Sequence, residues 1–334
     1  MLSEIDNKMT QLEKIRKRAS ENRKRVLLPE AEKDIRVIKA ALDLNSEHLA
    51  TPVLIGDQVQ IRDLADRHNV KLPESIEIRS VVSGDEDEKF SFFKQKLAHK
   101  NPDDEQIRKF CLNPLFTAGW LLVQGIGDSA VAGSVASTSE VIIAAIRTIG
   151  VSSRSSLVSS SFLMELPDGR VYTYADCAVV PYPDSSQLAS IALDAGDTHL
   201  KLTNSSPKIA FLSFSTKGSA NHDSVTLVQE ALSLAKKQNS KWVIDGEMQF
   251  DTAVVPEIAS RKAPGSALQG NANVFIFPNL DAGNIAYKIT ERIGGATATG
   301  PILQGLAKPY MDLSRGCSVD DIVNTACVSV LLSS

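Results

Sequence analysis

The sequence is poor in cysteine, in long apolar runs and in excess positive charge, and each shortage excludes a class of protein. Its 334 residues contain 4 cysteines and no Cys-x-x-Cys pair, which removes the usual zinc and dithiol-redox signatures and favours reduced thiols in a cytoplasm. No stretch approaches the ~18 apolar residues of a transmembrane helix, and the N-terminus lacks the apolar core of a signal peptide. Lys and Arg (36) do not outnumber Asp and Glu (40), so the basic excess of a nucleic-acid-coating protein is missing too.

Short β-branched runs alternate with amphipathic stretches along most of the chain. Arg25–Leu28 precedes a helical pattern from 31 to 44, and Thr51–Ile55 precedes another near 59–68. This alternation is typical of βα units around a largely parallel sheet with helices on both faces, and it predicts an α/β fold with αβα layers. A tight turn at 166–169 (LPDG) separates two strand-like runs, which predicts one hairpin and therefore a partly mixed sheet. At the N-terminus, apolar residues recur at helical spacing and predict an amphipathic helix. These residues are Leu2, Ile5, Met9, Leu12 and Ile15.

The length predicts two domains, at roughly 100–200 residues each. The last stretch of the chain holds one strand-like run (301–306) and one helical pattern (319–332), which is too little for a domain of its own. We therefore expect it to pack on the N-terminal half. The first domain is then discontinuous (1–152 plus 299–334), the second (153–298) is inserted, and a cleft between them is the natural ligand site.

A loose dinucleotide pattern, Gly-x-Gly-x-x-Ala, occurs at 125–130. That fingerprint has to follow a strand and open a helix. Here it follows a helical stretch (115–123) and opens a strand-like run (130–132). The order is reversed, which argues against a nicotinamide site.

Two polar segments in the second half follow strand-like runs. Residues 215–220 (STKGSA) precede a helical pattern. The amides, hydroxyls and lysine of this segment suit binding of a phosphate. The serines equally suit capping of the helix that follows. Asp245, Glu247 and Asp251 follow the next strand, at the sheet edge where α/β proteins bind ligands. They suit metal binding or acid/base chemistry, and equally turn and cap roles. The residues alone leave both pairs of alternatives open.

A third segment, 312–321, brings a hydroxyl, a guanidinium and a carboxylate to one helix entrance. Ser318 followed three residues later by Asp321 fits a capping box, which makes Asp321 a helix-starting residue. Arg315 suits bidentate binding of phosphate, and Asp321 also suits accepting a proton. The two interpretations of Asp321 are compatible. The five histidines have no ligand-like spacing, so no metal site is predicted.

Several segments closely resemble the phosphate acetyltransferase family, and the resemblance runs from residue 25 to the last helix. They are STKGSA (215–220), DGEMQFD (245–251), KAPGS (262–266), NANVFIFPNLDAGNIAYK (271–288), GPILQGLAKP (300–309) and DLSRGCSVDDIV (312–323). The resemblance implies an isocitrate-dehydrogenase-like two-domain fold, a homodimer, and reversible acetyl transfer between CoA and inorganic phosphate. CoA, acetyl-CoA, acetyl phosphate and phosphate are then substrates, and no cofactor, metal, nucleic acid or membrane is implied.

The resemblance also implies roles for individual residues. Asp321 is the base for the CoA thiol, Ser314 stabilises the oxyanion, and Arg315 binds phosphate. Further substrate contacts are expected from Ser215, Thr216, Lys217, Gly218, Ser219, Asn284, Lys288 and Arg147.

The sequence departs from the family in two places. Ile143 stands where members carry an arginine, and Arg147 is expected to substitute partly because positions i and i+4 share a helix face. Residues 97–101 (LAHKN) replace a stretch rich in basic residues and glycine. These departures motivate two alternatives: a phosphate butyryl- or propionyltransferase with a more apolar pocket, and a weakly active CoA-binding regulatory homologue.

Overall fold

The computed structural model describes residues 9–82 and 84–333. Within them the chain forms two compact α/β units, with breaks at Gly150/Val151 and at Gly305/Leu306. The first unit is therefore built from two separate parts of the sequence. The predicted N-terminal helix begins at Gln11 behind a capping box made by Thr10 and Glu13. Leu2 and Ile5 lie outside the described residues.

The elements alternate along the chain. The strands are β1 Arg25–Leu28, β2 Thr51–Ile55, β3 Glu77–Arg79, β4 Ser129–Ala132, β5 Ser159–Glu165, β6 Val171–Ala175, β7 Lys208–Leu212, β8 Val243–Met248, β9 Val274–Ile276, β10 Thr297–Gln304 and β11 Tyr310–Asp312. The helices are α1 Gln11–Glu21, α2 Ile35–Ser46, α3 Gln58–Arg67, α4 Glu86–Lys96, α5 Asp104–Cys111, α6 Pro114–Val123, α7 Thr138–Thr148, α8 Ser185–Thr203, α9 Asp223–Gln238, α10 Phe250–Val254, α11 Pro256–Lys262, α12 Leu280–Arg292 and α13 Val319–Leu332. None of these helices combines the length and apolar character needed to span a bilayer.

The first unit contains a parallel sheet in the order β11-β4-β1-β2-β3. Its strands are short, and all but the edge strand β3 are largely buried, as the strands of parallel sheets usually are. Leu27, Val53 and Ala130 are fully buried in the core beside Trp120 of α6 and Tyr310 of β11. Because all five strands run the same way, their carboxyl ends share one edge, and the loops that follow them meet there.

The second unit contains a mixed sheet in the order β10-β5-β6-β9-β7-β8. The predicted hairpin is confirmed, since β5 and β6 pair antiparallel across the turn at 166–169. From β6 onward the neighbours are parallel. One core cluster lies between this sheet and helices α8 and α9, where Ile191, Phe211 and Ile276 are fully buried, and a second includes Met248 and Phe275.

The end of the chain differs from the sequence expectation at one strand. Residues 297–304 pair antiparallel with β5, so this strand belongs to the second sheet instead of packing on the N-terminal half. The first sheet gains Tyr310–Asp312 instead, a run of three residues too short for any periodic signal. The predicted helix at 319–332 does pack against the first unit, beside β1 and β4.

Candidate active site

Three loops meet at the carboxyl edge of the first sheet. They follow the neighbouring strands β1, β4 and β11 and contain Glu30, residues 133–137 and residues 313–317. Two long helices, α7 and α13, begin directly after the second and third loops. This edge therefore gathers two helix N-termini, whose exposed N–H groups favour anions.

The buried carboxylate of Glu30 binds the backbone of the loop after β4. Glu30 accepts the backbone N–H groups of Gly133 (2.8 Å), Ser134 (2.7 Å), Val135 (3.2 Å) and Ala136 (2.7 Å). It also accepts the Ser134 hydroxyl at 2.9 Å. Four consecutive amides are thus satisfied from within the protein, so the loop has one defined conformation ahead of α7.

The same loop approaches β11 so closely that it requires a glycine. Gly133 has φ +108°, and a Cβ added there would lie 2.5 Å from Asp312 Oδ1 and 2.6 Å from the Leu313 nitrogen. Asp312 is 3% exposed, and its Oδ2 accepts the Thr138 hydroxyl at 2.6 Å. Its Oδ1 has no hydrogen-bond partner in the described part of the chain. Burial raises the pKa of Asp312 to about 6. The negative charge of Glu30 also raises this pKa, whereas the hydrogen bond from Thr138 lowers it.

This raised pKa gives Asp312 a measurable effect on stability. Between pH 4 and 6 the folded protein binds more protons at Asp312 than the unfolded chain does, so the stability contribution of this group falls as pH rises. Asp312→Asn removes the cost of the buried charge. We expect its free energy of unfolding, relative to the parent protein, to be higher at pH 8 than at pH 4.5 by at most about 3 kcal/mol. Urea denaturation at both pH values measures this difference. The exposed carboxylate Asp63 gives the control, since Asp63→Asn should shift both values equally; an equal shift in Asp312→Asn would contradict the assignment.

Ser314 and Arg315 lie in the turn between β11 and α13, Asp321 lies in the first turn of α13, and all three are exposed. The Cys317 N–H donates to the Ser314 carbonyl (2.9 Å) and the Gly316 N–H to the Ser314 hydroxyl (3.2 Å). The predicted capping box is confirmed: Asp321 Oδ2 accepts the Ser318 N–H and hydroxyl, both at 2.8 Å. Asp321 Oδ1 forms no hydrogen bond with a residue that the structure describes. One oxygen caps the helix, and the other remains available to accept a proton.

The surroundings of the Arg315 guanidinium indicate a binding site for an anion. Across residues 9–82 and 84–333 it has no ion-pair or hydrogen-bond partner. Hydrogen bonds from Ser137 lower the pKa of Glu140 in the first turn of α7, and the charges of Arg315 and Lys33 act in the same direction. Two cations therefore lie near one helix N-terminus, an arrangement that attracts a phosphate.

The predicted phosphate loop in the second unit is held by the protein itself. The Gly218 N–H donates to Glu247 Oε1 (2.7 Å), as does the Ser215 hydroxyl (2.9 Å). Lys217 Nζ lies 2.7 Å from Asp245 Oδ1 and 2.7 Å from the Gly246 carbonyl. Four further amides of the loop are also bound within the protein. The Thr216 N–H donates to Ser219 Oγ and the Lys217 N–H to the Glu247 carbonyl. The Ser219 N–H donates to the Thr216 carbonyl and the Ala220 N–H to Ser215 Oγ. This geometry favours a structural role for the loop, and its contact with a substrate stays a prediction.

The acidic segment 245–251, which begins inside β8 and not after it, is likewise paired. Asp245 also accepts Ser266 Oγ (2.7 Å) and Lys236 Nζ (3.2 Å), and Asp251 accepts Lys262 Nζ (2.9 Å). Burial alone would raise the pKa of Asp245, but the hydrogen bonds from Lys217 and Ser266 hold it below its usual range. Among residues 9–82 and 84–333, no group of three or more His, Cys, Asp or Glu is arranged to hold a metal ion. The metal alternative for this segment is therefore not supported.

The remaining predicted contact residues lie on α12 of the second unit and on α7 of the first. Asn284 Nδ2 donates to the Cys177 carbonyl (3.0 Å), and Lys288 Nζ lies 5.8 Å from the Tyr287 ring centroid. Arg147 lies in the last turn of α7, with its guanidinium 5.5 Å from the Phe110 ring centroid. Seven residues after Glu140, it is about 10 Å further along the helix axis. The structure thus places Arg147 at the other end of α7 from Arg315.

Ile143 is 40% exposed on the same helix, beside the 38% exposed Ile146. The pattern at 125–130 follows α6 and runs into β4, which confirms the reversed order. Sequence reasoning assigned no role to Glu30, to Asp312, which it included only as the first residue of the segment 312–321, or to Arg36, whose guanidinium donates to the Arg315 carbonyl. The signal for Glu30 was its place directly after a buried strand, at the edge where ligands bind.

Comparison with known proteins gives one consistent assignment. The model of the family described as "Phosphate acetyl/butaryl transferase" matches residues 10–330. The phosphate acetyltransferase of Acetivibrio thermocellus is 40% identical over 331 residues, 97% of this chain and 98% of the relative. That of Staphylococcus aureus strain MRSA252 is 40% identical over 309 residues, 91% of this chain and 93% of the relative. The solved structure of the EutD phosphotransacetylase from Staphylococcus aureus superposes with a TM-score of 0.90 at 39% identity, covering 97% of this chain and 98% of that one. The chain therefore belongs to the phosphate acetyl/butaryl transferase family.

Proposed function

We propose that this protein catalyses the reversible transfer of an acetyl group between CoA and inorganic phosphate, by direct transfer in a ternary complex. The observation that carries the proposal is the Arg315 guanidinium, which has no partner among residues 9–82 and 84–333 and belongs to the same short segment, at the N-terminus of α13, as Ser314 and Asp321. Relatives at 40% identity that bear the name phosphate acetyltransferase support the same reaction.

The three side chains account for the chemistry in the direction that forms acetyl-CoA. A thiol like that of free cysteine has a pKa of ~8.5 and gives little thiolate at neutral pH, so Asp321 accepts the thiol proton of CoA. The thiolate attacks the acetyl carbonyl, a C–S bond forms, the C–O bond to the phosphoryl group breaks, and phosphate leaves. Arg315 binds that phosphate, and the Ser314 O–H donates to the carbonyl oxygen as negative charge develops on it. The thiolate is the nucleophile and phosphate the leaving group, so the transfer needs no resident cofactor.

The test is thioester formation from acetyl phosphate and CoA by the purified protein, with propionyl and butyryl phosphate assayed in parallel. We expect acetyl phosphate to be the best of the three. Preference for a longer acyl phosphate would move the assignment to a butyryl- or propionyltransferase. Binding of CoA without turnover of any acyl phosphate would overturn the proposed reaction.

We further propose that the protein is a cytoplasmic homodimer. Three isoleucines at intervals of four residues form an apolar stripe along α12 and its C-cap: Ile285 is 58%, Ile289 52% and Ile293, the C-cap residue, 83% exposed. Such a stripe is costly in water and suits a copy of itself across a two-fold axis. The four cysteines are unpaired, as in reducing compartments.

The stripe predicts the effect of a charge on assembly. Ile289→Glu is expected to halve the mass measured by light scattering during size-exclusion chromatography, because a buried unpaired carboxylate opposes association. Val59, 67% exposed in the first unit, gives the matched control, and Val59→Glu should leave the mass unchanged. A monomeric parent protein, or a dimeric Ile289→Glu variant, would contradict the proposed interface.

A further inference from the structure

Arg36 joins three segments at the carboxyl edge of the first sheet. Its Nη1 donates to the Arg315 carbonyl (3.0 Å) and the Cys317 carbonyl (2.6 Å). Its Nη2 donates to the Ser134 carbonyl (3.0 Å). The remaining contacts, from Nε and Nη2, go to Asp34 at 2.7–3.0 Å. One side chain therefore holds the start of α2, the loop after β4 and the turn that carries Ser314 and Arg315.

Only arginine can make this set of contacts. Its planar guanidinium carries five N–H donors in a fixed fork, whereas lysine offers one compact ammonium group. Asp34 is 7% exposed and fixes the plane of that fork. Burial alone would raise the pKa of Asp34, but the hydrogen bonds from Arg36 hold it below its usual range. The pair is therefore ionised at neutral pH, and the guanidinium has a defined orientation.

Two of the carbonyls that Arg36 binds belong to the turn that carries Ser314 and Arg315. The turn from 314 to 317 is closed by the Cys317 N–H on the Ser314 carbonyl and by the Gly316 N–H on the Ser314 hydroxyl. Holding the carbonyls of Arg315 and Cys317 fixes the peptide planes within this turn. It thereby fixes the direction in which the Ser314 O–H and the Arg315 side chain leave the backbone.

We propose that Arg36 is a positioning residue for acetyl transfer, acting through the backbone of the 314–317 turn and not through contact with the substrates. The inference rests on the proposed function of Ser314 and Arg315. Misplacing such groups by about 1 Å lowers turnover by as much as 10²-fold. The expected consequence is a loss of kcat with little change in the affinity for CoA.

The test compares Arg36→Lys with a matched control at the opposite edge of the same sheet. Arg25, at the start of β1, pairs with Glu77 (2.7 Å) and donates to the Ile126 carbonyl (2.7 Å). Both variants keep the positive charge and lose an arginine fork bound to a carboxylate and to the backbone, through three carbonyls for Arg36 and one for Arg25. We expect Arg36→Lys to lower kcat by about 10- to 100-fold with the KM for CoA changed less than about threefold. Arg25→Lys should keep the parent kcat, even if its melting temperature falls by as much as that of Arg36→Lys.

Hydrogen exchange of the peptide covering residues 313–318 gives a readout that does not depend on activity. Faster exchange in Arg36→Lys than in Arg25→Lys, together with the loss of kcat, supports the proposal. Unchanged exchange, a parent-like kcat, or a raised KM at parent kcat would each overturn it, the last because it marks direct substrate binding. If the parent protein itself fails to turn over acetyl phosphate, the proposed function fails, while the exchange comparison still reports whether Arg36 holds the turn.

Discussion

Asp321→Asn is expected to lower kcat for thioester formation by about 10²- to 10⁴-fold, the usual contribution of a general base. Asparagine keeps an oxygen that accepts the Ser318 N–H and hydroxyl, so the capping box and the start of α13 are retained. Asparagine cannot take the thiol proton. The KM for CoA should therefore change little, because the thiol proton is removed only as the reaction proceeds.

Asp320→Asn is the control for this substitution. Asp320 is the preceding carboxylate in the same helical turn, and it pairs with Arg16 and Asn324. Losing that exposed pair costs little, since surface ion pairs contribute 0–1 kcal/mol. We expect Asp320→Asn to keep the parent kcat. An unchanged rate in Asp321→Asn would leave Asp321 with its capping role alone, and the proposed base would have to be another group.

Arg315→Gln is expected to raise the KM for acetyl phosphate, and for phosphate in the reverse direction, by about 10- to 100-fold. A charge-assisted hydrogen bond contributes about 1.5–3 kcal/mol, and each 1.4 kcal/mol is tenfold in affinity. The guanidinium has no protein partner among the described residues, so its removal leaves no buried charge unpaired. The melting temperature should therefore stay close to that of the parent protein.

Steady-state kinetics in both directions measure this effect, with Arg170→Gln as the control. Arg170 is also exposed, but it pairs with Asp168 in the hairpin turn of the second unit. We expect its replacement to leave both KM values unchanged. If Arg315→Gln has parent-like KM values for acetyl phosphate and phosphate, the anion site does not lie at the N-termini of α7 and α13.

Much of the candidate site was predictable, because its signals are local. The capping box at Ser318 and Asp321 depends on residues three apart, and the reversed order at 125–130 depends on the elements directly beside it. The phosphate hypothesis for 215–220 was local as well. For that loop the sequence could not show that two carboxylates about 30 residues later bind its polar groups. Glu247 accepts the Gly218 N–H, and Asp245 pairs with the Lys217 ammonium group.

The sequence by itself determined the alternation of strands and helices, the hairpin at 166–169, the polar turn at 314–321 and the resemblance to a family. Each of these rests on residue spacings of two to four or on short motifs, which hold wherever the segment lies. Only the tertiary structure decided which strands are neighbours, and hence that β10 pairs with β5 while β11 pairs with β4. That strand order brings Arg36 to the carbonyl of Arg315, 279 residues away, and Glu30 to the amides of 133–136. Such contacts carry no period in the sequence, because they depend on how whole elements pack and not on the residues beside them.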